Sequence, residues 1–290
     1  MSDPQQTIAE RLHARLDDLT RAERQLADLI LEAYPVSGLG SITQVAQAAE
    51  VSTPTVARMV QKLGFKGYAE FQAALRAELA ARISGPITRR ETWAEGAPGA
   101  HILNRFTEAV IGNIRHSLGH VDPGQFDAVC DLIADPARRV HVVGGRITRT
   151  LAEYLALHLQ MVRPGVVPFQ GEQNAWAHSL LDLAPGDVLV IFDVRRYENA
   201  TLRLAEMAAE RGAEIVLFTD QWRSPVQRLA RAVLVSRTVV PSAWDFSVTT
   251  LLLVETVIAA VQERRWPDTR ARMETLDEMF NRTGFFRKFT

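Results

Sequence analysis

The sequence predicts an all-α N-terminal helix-turn-helix domain followed by an α/β doubly wound, parallel-sheet domain. Three patterns carry that expectation. Apolar residues recur at helical spacing, punctuated by capping residues, through residue 83. A stretch containing Gly85, Pro86, Gly96, Pro98 and Gly99, with no apolar period, then interrupts the chain. From Arg139 onward, short continuous apolar runs alternate with helical segments, the rhythm of a parallel sheet covered on both faces. The expected division is 1–83 helical, 84–100 linker and 101–290 α/β.

In the helical part, Ile8, Leu12, Leu16 and Leu19 form one stripe, which predicts a helix over 5–18. Thr20 with Glu23 is a capping box for a second helix that Pro35 ends. Residues 41–67, SITQVAQAAEVSTPTVARMVQKLGFKG, read as the helix-turn-helix. Ser41 caps a helix whose apolar face is Ile42, Val45, Ala46 and Ala49. Ser52 or Thr53 caps the next, with Pro54 in its first turn, where the missing N–H costs nothing. Val56, Met59, Val60 and Leu63 form its buried stripe. The turn between them carries Glu50 where glycine is common, and a left-handed glutamate costs about 1 kcal/mol, so a slightly altered turn is expected. A fifth helix is expected from Tyr68 to Ile83.

Trp93, in the linker, is a large apolar residue available for docking. Helices are expected over 101–118 and 123–134. The expected strands are RVHVVGG, GVVPF, DVLVIFDV, EIVLFTD and AVLVS, with helices over 148–161, 174–181, 199–211 and 225–229 between them. A long helix over 242–265, a break at Pro267 and a last helix over 268–280 precede the basic aromatic tail NRTGFFRKFT.

Composition excludes several classes. Apolar residues are 47% and charged residues 23% of the 290, with a net charge of −1, ordinary for a globular protein. Charge is nonetheless uneven. Residues 52–82 hold five basic and two acidic residues, whereas residues 1–51 hold four basic and eight acidic. The single cysteine, Cys130, rules out a disulfide framework or a cysteine metal site. No histidine or carboxylate spacing suggests a metal, and no G-x-S-x-G suggests a nucleophile. His141 and His158 read as core or surface residues, and Glu172 and Glu255 as solvated glutamates rather than bases. The loop GGRITR lacks the G-x-G-x-x-G spacing of a dinucleotide fingerprint, so no cofactor is expected. The polar N-terminal stretch and the absence of a spanning apolar run make cytoplasm, and no membrane partner, the expectation.

Two surfaces are candidates for function. On the second helix of the helix-turn-helix, Ser52, Thr53, Thr55, Arg58 and Lys62 fall off the apolar stripe, and no acid occurs from Ser52 to Tyr68. Hydroxyls, Arg and Lys there suit base edges and phosphates of double-stranded DNA, with Lys66 and Tyr68 reaching the backbone from the following turn. In the α/β part, ligands sit at the carboxyl ends of strands. Three loops qualify: GGRITR with Gly144, Gly145, Arg146 and Thr148; DVRRYEN with Asp193, Arg195, Arg196 and Glu198; and TDQWRSP, opening with Thr219. Thr148 is expected to cap the helix after the first strand, and the arginines to grip a small anion. Interdomain or dimer salt bridges are the other reading of those arginines.

LTRAERQLADLIL, followed by SITQVAQAAEVSTPTVARMVQKLGFKGYAEFQAAL, resembles the RpiR-type transcriptional regulators. VHVVGG, GDVLVIFDV, AAERGAEIVLFTD and Ser224–Pro225 are similarly placed to their SIS (sugar isomerase) domain. The resemblance covers nearly the whole chain. It implies a non-enzymatic regulator of sugar or sugar-acid metabolism, controlled by a sugar phosphate or sugar acid. It also implies a homodimer or dimer of dimers on an inverted-repeat operator. The family pattern G-x-G-x-S becomes Gly144, Arg146 and Thr148 here, and S-x-S-G-x-T becomes Asp193, Arg195, Arg196 and Glu198. Large charged residues thus replace a small phosphate cradle. A sugar-phosphate isomerase and a DNA-binding protein with an inert SIS domain remain the alternatives.

Overall fold

The computed structural model describes residues 6–85, 88, 101–169, 171, 173–284 and 286. Most of the expected linker, including Trp93, lies outside them, as does Glu172.

Among the described residues five helices precede the linker: α1 (Ile8–His13), α2 (Arg21–Glu32), α3 (Ile42–Ala48), α4 (Thr53–Lys62) and α5 (Tyr68–Ile83). Capping boxes start the first three, through Thr7 with Glu10, Thr20 with Glu23 and Ser41 with Gln44. Ser52 caps α4, its Oγ accepting from Thr55 N at 3.3 Å. The helix expected over 5–18 is shorter. It stops at His13, and a 3-10 turn at Leu16–Asp18 redirects the chain so that Thr20 can cap α2. Leu12, Leu26, Ile30, Val56, Met59, Val60, Leu63, Phe71 and Leu75 form a core of their own.

The α3–α4 turn is not altered by Glu50, contrary to expectation. Glu50 takes the left-handed conformation itself, φ 52°. Val51 N then reaches Ala46 O at 2.9 Å and Glu50 N reaches Gln47 O at 3.1 Å, a complete Schellman closure of the helix end.

The second part comprises α6 (Ile102–His120), α7 (Pro123–Ala134), β1 (Val140–Gly144), α8 (Arg149–Val162), β2 (Val166–Pro168), α9 (Trp176–Leu181), β3 (Val188–Asp193), α10 (Asn199–Glu210), β4 (Glu214–Asp220), β5 (Ala230–Ser236), α11 (Val248–Arg264) and α12 (Trp266–Thr283). The five strands are all parallel, in the order β2-β1-β3-β4-β5. Helices α7, α8 and α11 cover one face, burying Ile133, Leu155, Leu159, Leu253 and Val257 against Val140, Val190 and Phe218. Helices α9 and α10 cover the other, with Trp176, Leu180 and Leu204 on Leu189, Ile191 and Leu217. Burial on both faces is why the strands read as continuous apolar runs. Strand order reverses between β1 and β3, which opens a crevice at their carboxyl ends.

Three elements differ from the pattern reading. Residues 225–229 form a 3-10 turn rather than a helix. Pro267 sits in the first turn of α12, where it starts rather than precedes the helix. The helix expected from residue 242 begins at Val248, because the preceding segment closes on itself. There Phe246 N donates to Thr238 O at 2.9 Å, and Thr238 Oγ1 to Asp245 Oδ1 at 3.3 Å. Among the described residues no helix is long and apolar enough to cross a membrane.

Candidate effector crevice and DNA-reading face

The crevice at the β1–β3 reversal holds a cavity of about 300 Å³. Gly145, Arg146 and Thr148 line it from the β1 loop, and Asp193, Arg195, Arg196 and Glu198 from the β3 loop. Trp244, Asp245 and Ser247 join them from the segment before α11, and Ser84 from the end of the helical domain. Sequence reasoning missed that last pair of contributions. The apolar pattern predicts a helix from residue 242, although the cluster Pro241-Ser242 with Trp244-Asp245 is turn chemistry.

The β1 loop doubles back so tightly that a Cβ on Gly144 would lie 2.5 Å from Thr148 O. Thr148 does not cap α8 as expected. Its hydroxyl accepts from Gly145 N and donates to Phe192 O, both at 2.9 Å, which pins the loop to β3. The N–H groups of Ile147 and Thr148 find no acceptor among the described residues, and they head the helix where an anion is favoured.

Glu198 occupies part of that anion position. It stands at the N-cap of α10 yet makes no cap bond there. Its carboxylate instead accepts from Arg146 N at 3.1 Å and from Gln173 Nε2. A Cβ on Gly145 would meet it at 2.8 Å, so a larger residue there would displace the carboxylate. Arg196, in the left-handed region at φ 63°, lines the same cavity.

Arg195 is not available for a ligand in this arrangement. Its guanidinium is buried, pairs with Asp245 through Nη2 at 2.6 Å and Nε at 3.3 Å, and stacks over Trp222 at 4.4 Å. Its remaining Nη1 donates to Ala81 O in the last turn of α5 at 2.6 Å. The interdomain role is therefore the one it fills. Thr219 also departs from expectation: it is fully buried, donates to Asp193 O at 2.7 Å and lines no part of the cavity. Asp193 accepts from Ser224 Oγ, and burial, with Asp220 and Glu198 nearby, pushes its carboxyl up to about 7. Asp220, fully buried, accepts from Arg195 N, Tyr197 OH and Trp222 N.

On α4, Ser52, Thr53 and Arg58 are exposed, as is Lys66 in the next turn. Three other candidates are held by protein partners. Thr55 is buried, its hydroxyl within 2.9 Å of Ser52 Oγ. Lys62 Nζ pairs with Glu23 at 2.7 Å and donates to Asp18 O at 3.2 Å. Tyr68 OH donates to Gly40 O at 2.8 Å and Gly38 O at 3.0 Å, stapling α5 to the chain before α3. Of the other residues weighed from sequence, His141 is a core residue 3.3 Å from Asp187, and Glu255 accepts from Tyr154 OH.

Comparison with known proteins matches both halves. Residues 6–82 match the helix-turn-helix domain of the rpiR family, and residues 133–260 match the SIS domain. The HTH-type transcriptional regulator HexR of Pseudomonas aeruginosa is 29% identical over 219 residues, which span 73% of this chain and 73% of that protein. The sugar isomerase domain of an RpiR transcription factor from Sphaerobacter thermophilus superposes with a TM-score of 0.55 at 27% identity, over 61% of this chain and 97% of that one. The Vibrio vulnificus NanR protein, solved in complex with ManNAc-6P, shares the fold over 95% of this chain and 98% of its own, with a TM-score of 0.56 at 20% identity.

Proposed function

We propose, from the premise that this chain belongs to the RpiR-type transcriptional regulators, that a small anionic metabolite in the β1–β3 crevice sets the position of its DNA-reading helices. One observation carries the reading. The cavity wall is shared between the domains: Ser84 lines it, and Arg195, which also lines it, is bonded to Ala81 of α5. A ligand there bears on the helical domain without any long relay.

Arg146, Arg196 and the N–H groups of Ile147 and Thr148 are the donors for the anion, a sugar phosphate or sugar acid. Glu198 must swing from Arg146 N to admit it, which favours a compact anion able to outcompete a carboxylate. Asp193 and Glu198 then accept sugar hydroxyls. On the other domain, Arg58 with Ser52 and Thr53 meets base edges, and Lys66 a phosphate. Thr55 supports Arg58 from below, its Oγ1 3.5 Å from Arg58 Nη2. The chain acts as a cytoplasmic homodimer or dimer of dimers on an inverted-repeat operator, without catalysis. The exposed Ile102, Leu103, Ile111 and Leu118 of α6 support an association surface on the SIS domain.

The test is a thermal-shift panel of sugar phosphates and sugar acids, followed by operator binding with and without each hit. An effector should raise Tm and change operator affinity several-fold, a coupling of about 1–3 kcal/mol. Joint replacement Arg146→Ala and Arg196→Ala should remove both responses. Retention of both responses in that variant would refute this crevice as the effector site.

A further inference from the structure

A second cavity, about 470 Å³, lies in the seam between α1 and the α/β layer. His13 lines it from the helical domain and Arg223 from the β4–β5 connection. Arg223 holds a left-handed backbone, φ 55°. The only hydrogen bond of its guanidinium among the described residues runs from Nη1 to Gln227 Oε1 at 3.4 Å, and its Nε is buried without an acceptor. His13 Nε2 is likewise buried without a partner. No acid pairs with Arg223 among the described residues. Glu10, whose charge acts on Arg223, is committed to Arg237 at 2.9 Å and His116 at 3.1 Å. Asp122 accepts from Gly124 N at 2.9 Å, and Asp17 is exposed.

Buried donors are nearly always satisfied, and a desolvated cation is retained where something supplies its counter-charge. We propose that this seam is a second anion site, distinct from the β1–β3 crevice, built for a small phosphate-bearing ligand held by Arg223 and His13. The Nε and Nη edge of a guanidinium presents two parallel donors to two phosphate oxygens. The imidazole adds a neutral donor: burial and the neighbouring Arg223 cation push His13 down to about 4, so it carries no charge near pH 7. A ligand gripped from both sides holds the helical domain against the SIS layer in the arrangement seen here.

Inorganic phosphate is the probe, titrated against the full chain at constant ionic strength set with sodium chloride. Phosphate should raise Tm saturably, and Arg223→Met should weaken that binding by about tenfold or more. Without phosphate, Arg223→Met should be at least as stable as the parent, because it removes a desolvated charge that has no partner. The joint Arg146→Ala and Arg196→Ala variant should keep the phosphate response. His13→Gln, which leaves Arg223 in place, is the second variant, and it should also weaken phosphate binding. The proposal is overturned by no phosphate response at constant ionic strength, by undiminished binding in the Arg223 or His13 variants, or by loss of the response only in the crevice variant.

Discussion

Arg195 Nη1 donates to the carbonyl of Ala81 at 2.6 Å, tying the loop after β3 to the last turn of α5. The last carbonyls of a helix have no intrahelical partner, so a guanidinium there satisfies one of them and complements the helix dipole. The same guanidinium grips Asp245, so the β1–β3 crevice, the loop after β3 and α5 meet in one side chain. Arg195→Ala should destabilise the chain by about 2–4 kcal/mol in urea unfolding, somewhat less than the ~3–5 kcal/mol of a fully buried pair because Asp245 is partly exposed. Arg195→Lys should recover little, because an ammonium cannot span both Asp245 oxygens and Ala81 O. A loss within about 0.5 kcal/mol of zero, the range of an ordinary surface substitution, would show that the clasp is not structural.

On α4 the charges divide by what holds them. Arg58→Ala should cost about 1–3 kcal/mol of operator affinity and relax specificity at one base position. Lys66→Ala should weaken all sequences alike and flatten the salt slope by about one unit. Lys62→Ala should change the slope less, since its ammonium is already paired with Glu23. Binding isotherms across a salt series separate the three. Parent-like affinity of Arg58→Ala for a selected operator would displace α4 from the groove.

What the sequence made legible was local. Thr20 with Glu23, Ser41 before Ile42 and Ser52 before Pro54 announce helix starts within a turn of themselves, and the structure places helices on them. The strand runs are equally local, because two-sided burial writes itself into every residue. The crevice is built from contacts that leave no period in the chain. Arg195 meets Asp245 fifty positions later, and Arg146 N meets Glu198 at a separation of 52. Glu198 sits at a helix start, where an acid is ordinarily read as a cap, yet turns to Arg146 N. Charge type marked these loops from sequence, but partner choice depends on which loops the topology brings to one sheet edge.

Glu50 supplies a test of backbone strain. Its left-handed conformation closes α3 through Val51 N and Ala46 O, and glycine adopts that conformation without the Cβ penalty. Glu50→Gly should stabilise the helical domain by about 0.5–1 kcal/mol, read as a higher urea midpoint at unchanged slope. A lower midpoint would mean that the glutamate side chain contributes more than the strain costs.

Glu78 gives a pH signature of known sign. Its carboxylate accepts from Ile8 N at 2.8 Å and from Tyr34 OH, joining α5 to α1. Burial, with Glu10 nearby, pushes it up from its ordinary 4.5 to about 7. A carboxyl with a raised folded pKa keeps its proton in the folded chain while the unfolded chain has already released it. Stability is therefore lost as pH rises from about 4.5 to about 7, by up to about 3 kcal/mol. Asp193, also raised to about 7, acts in the same direction. His13, pushed down to about 4 from 6.5, opposes both: its contribution is present above 6.5 and lost as pH falls toward 4. The parent curve is thus flattened by opposed groups, and a difference isolates one of them. Glu78→Gln keeps an acceptor for Ile8 N and cannot ionise. Its stability relative to the parent should increase steadily between about pH 4.5 and 7 and level off above. A difference that stays constant across that window in urea unfolding would mean that Glu78 ionises in the folded chain as it does in water.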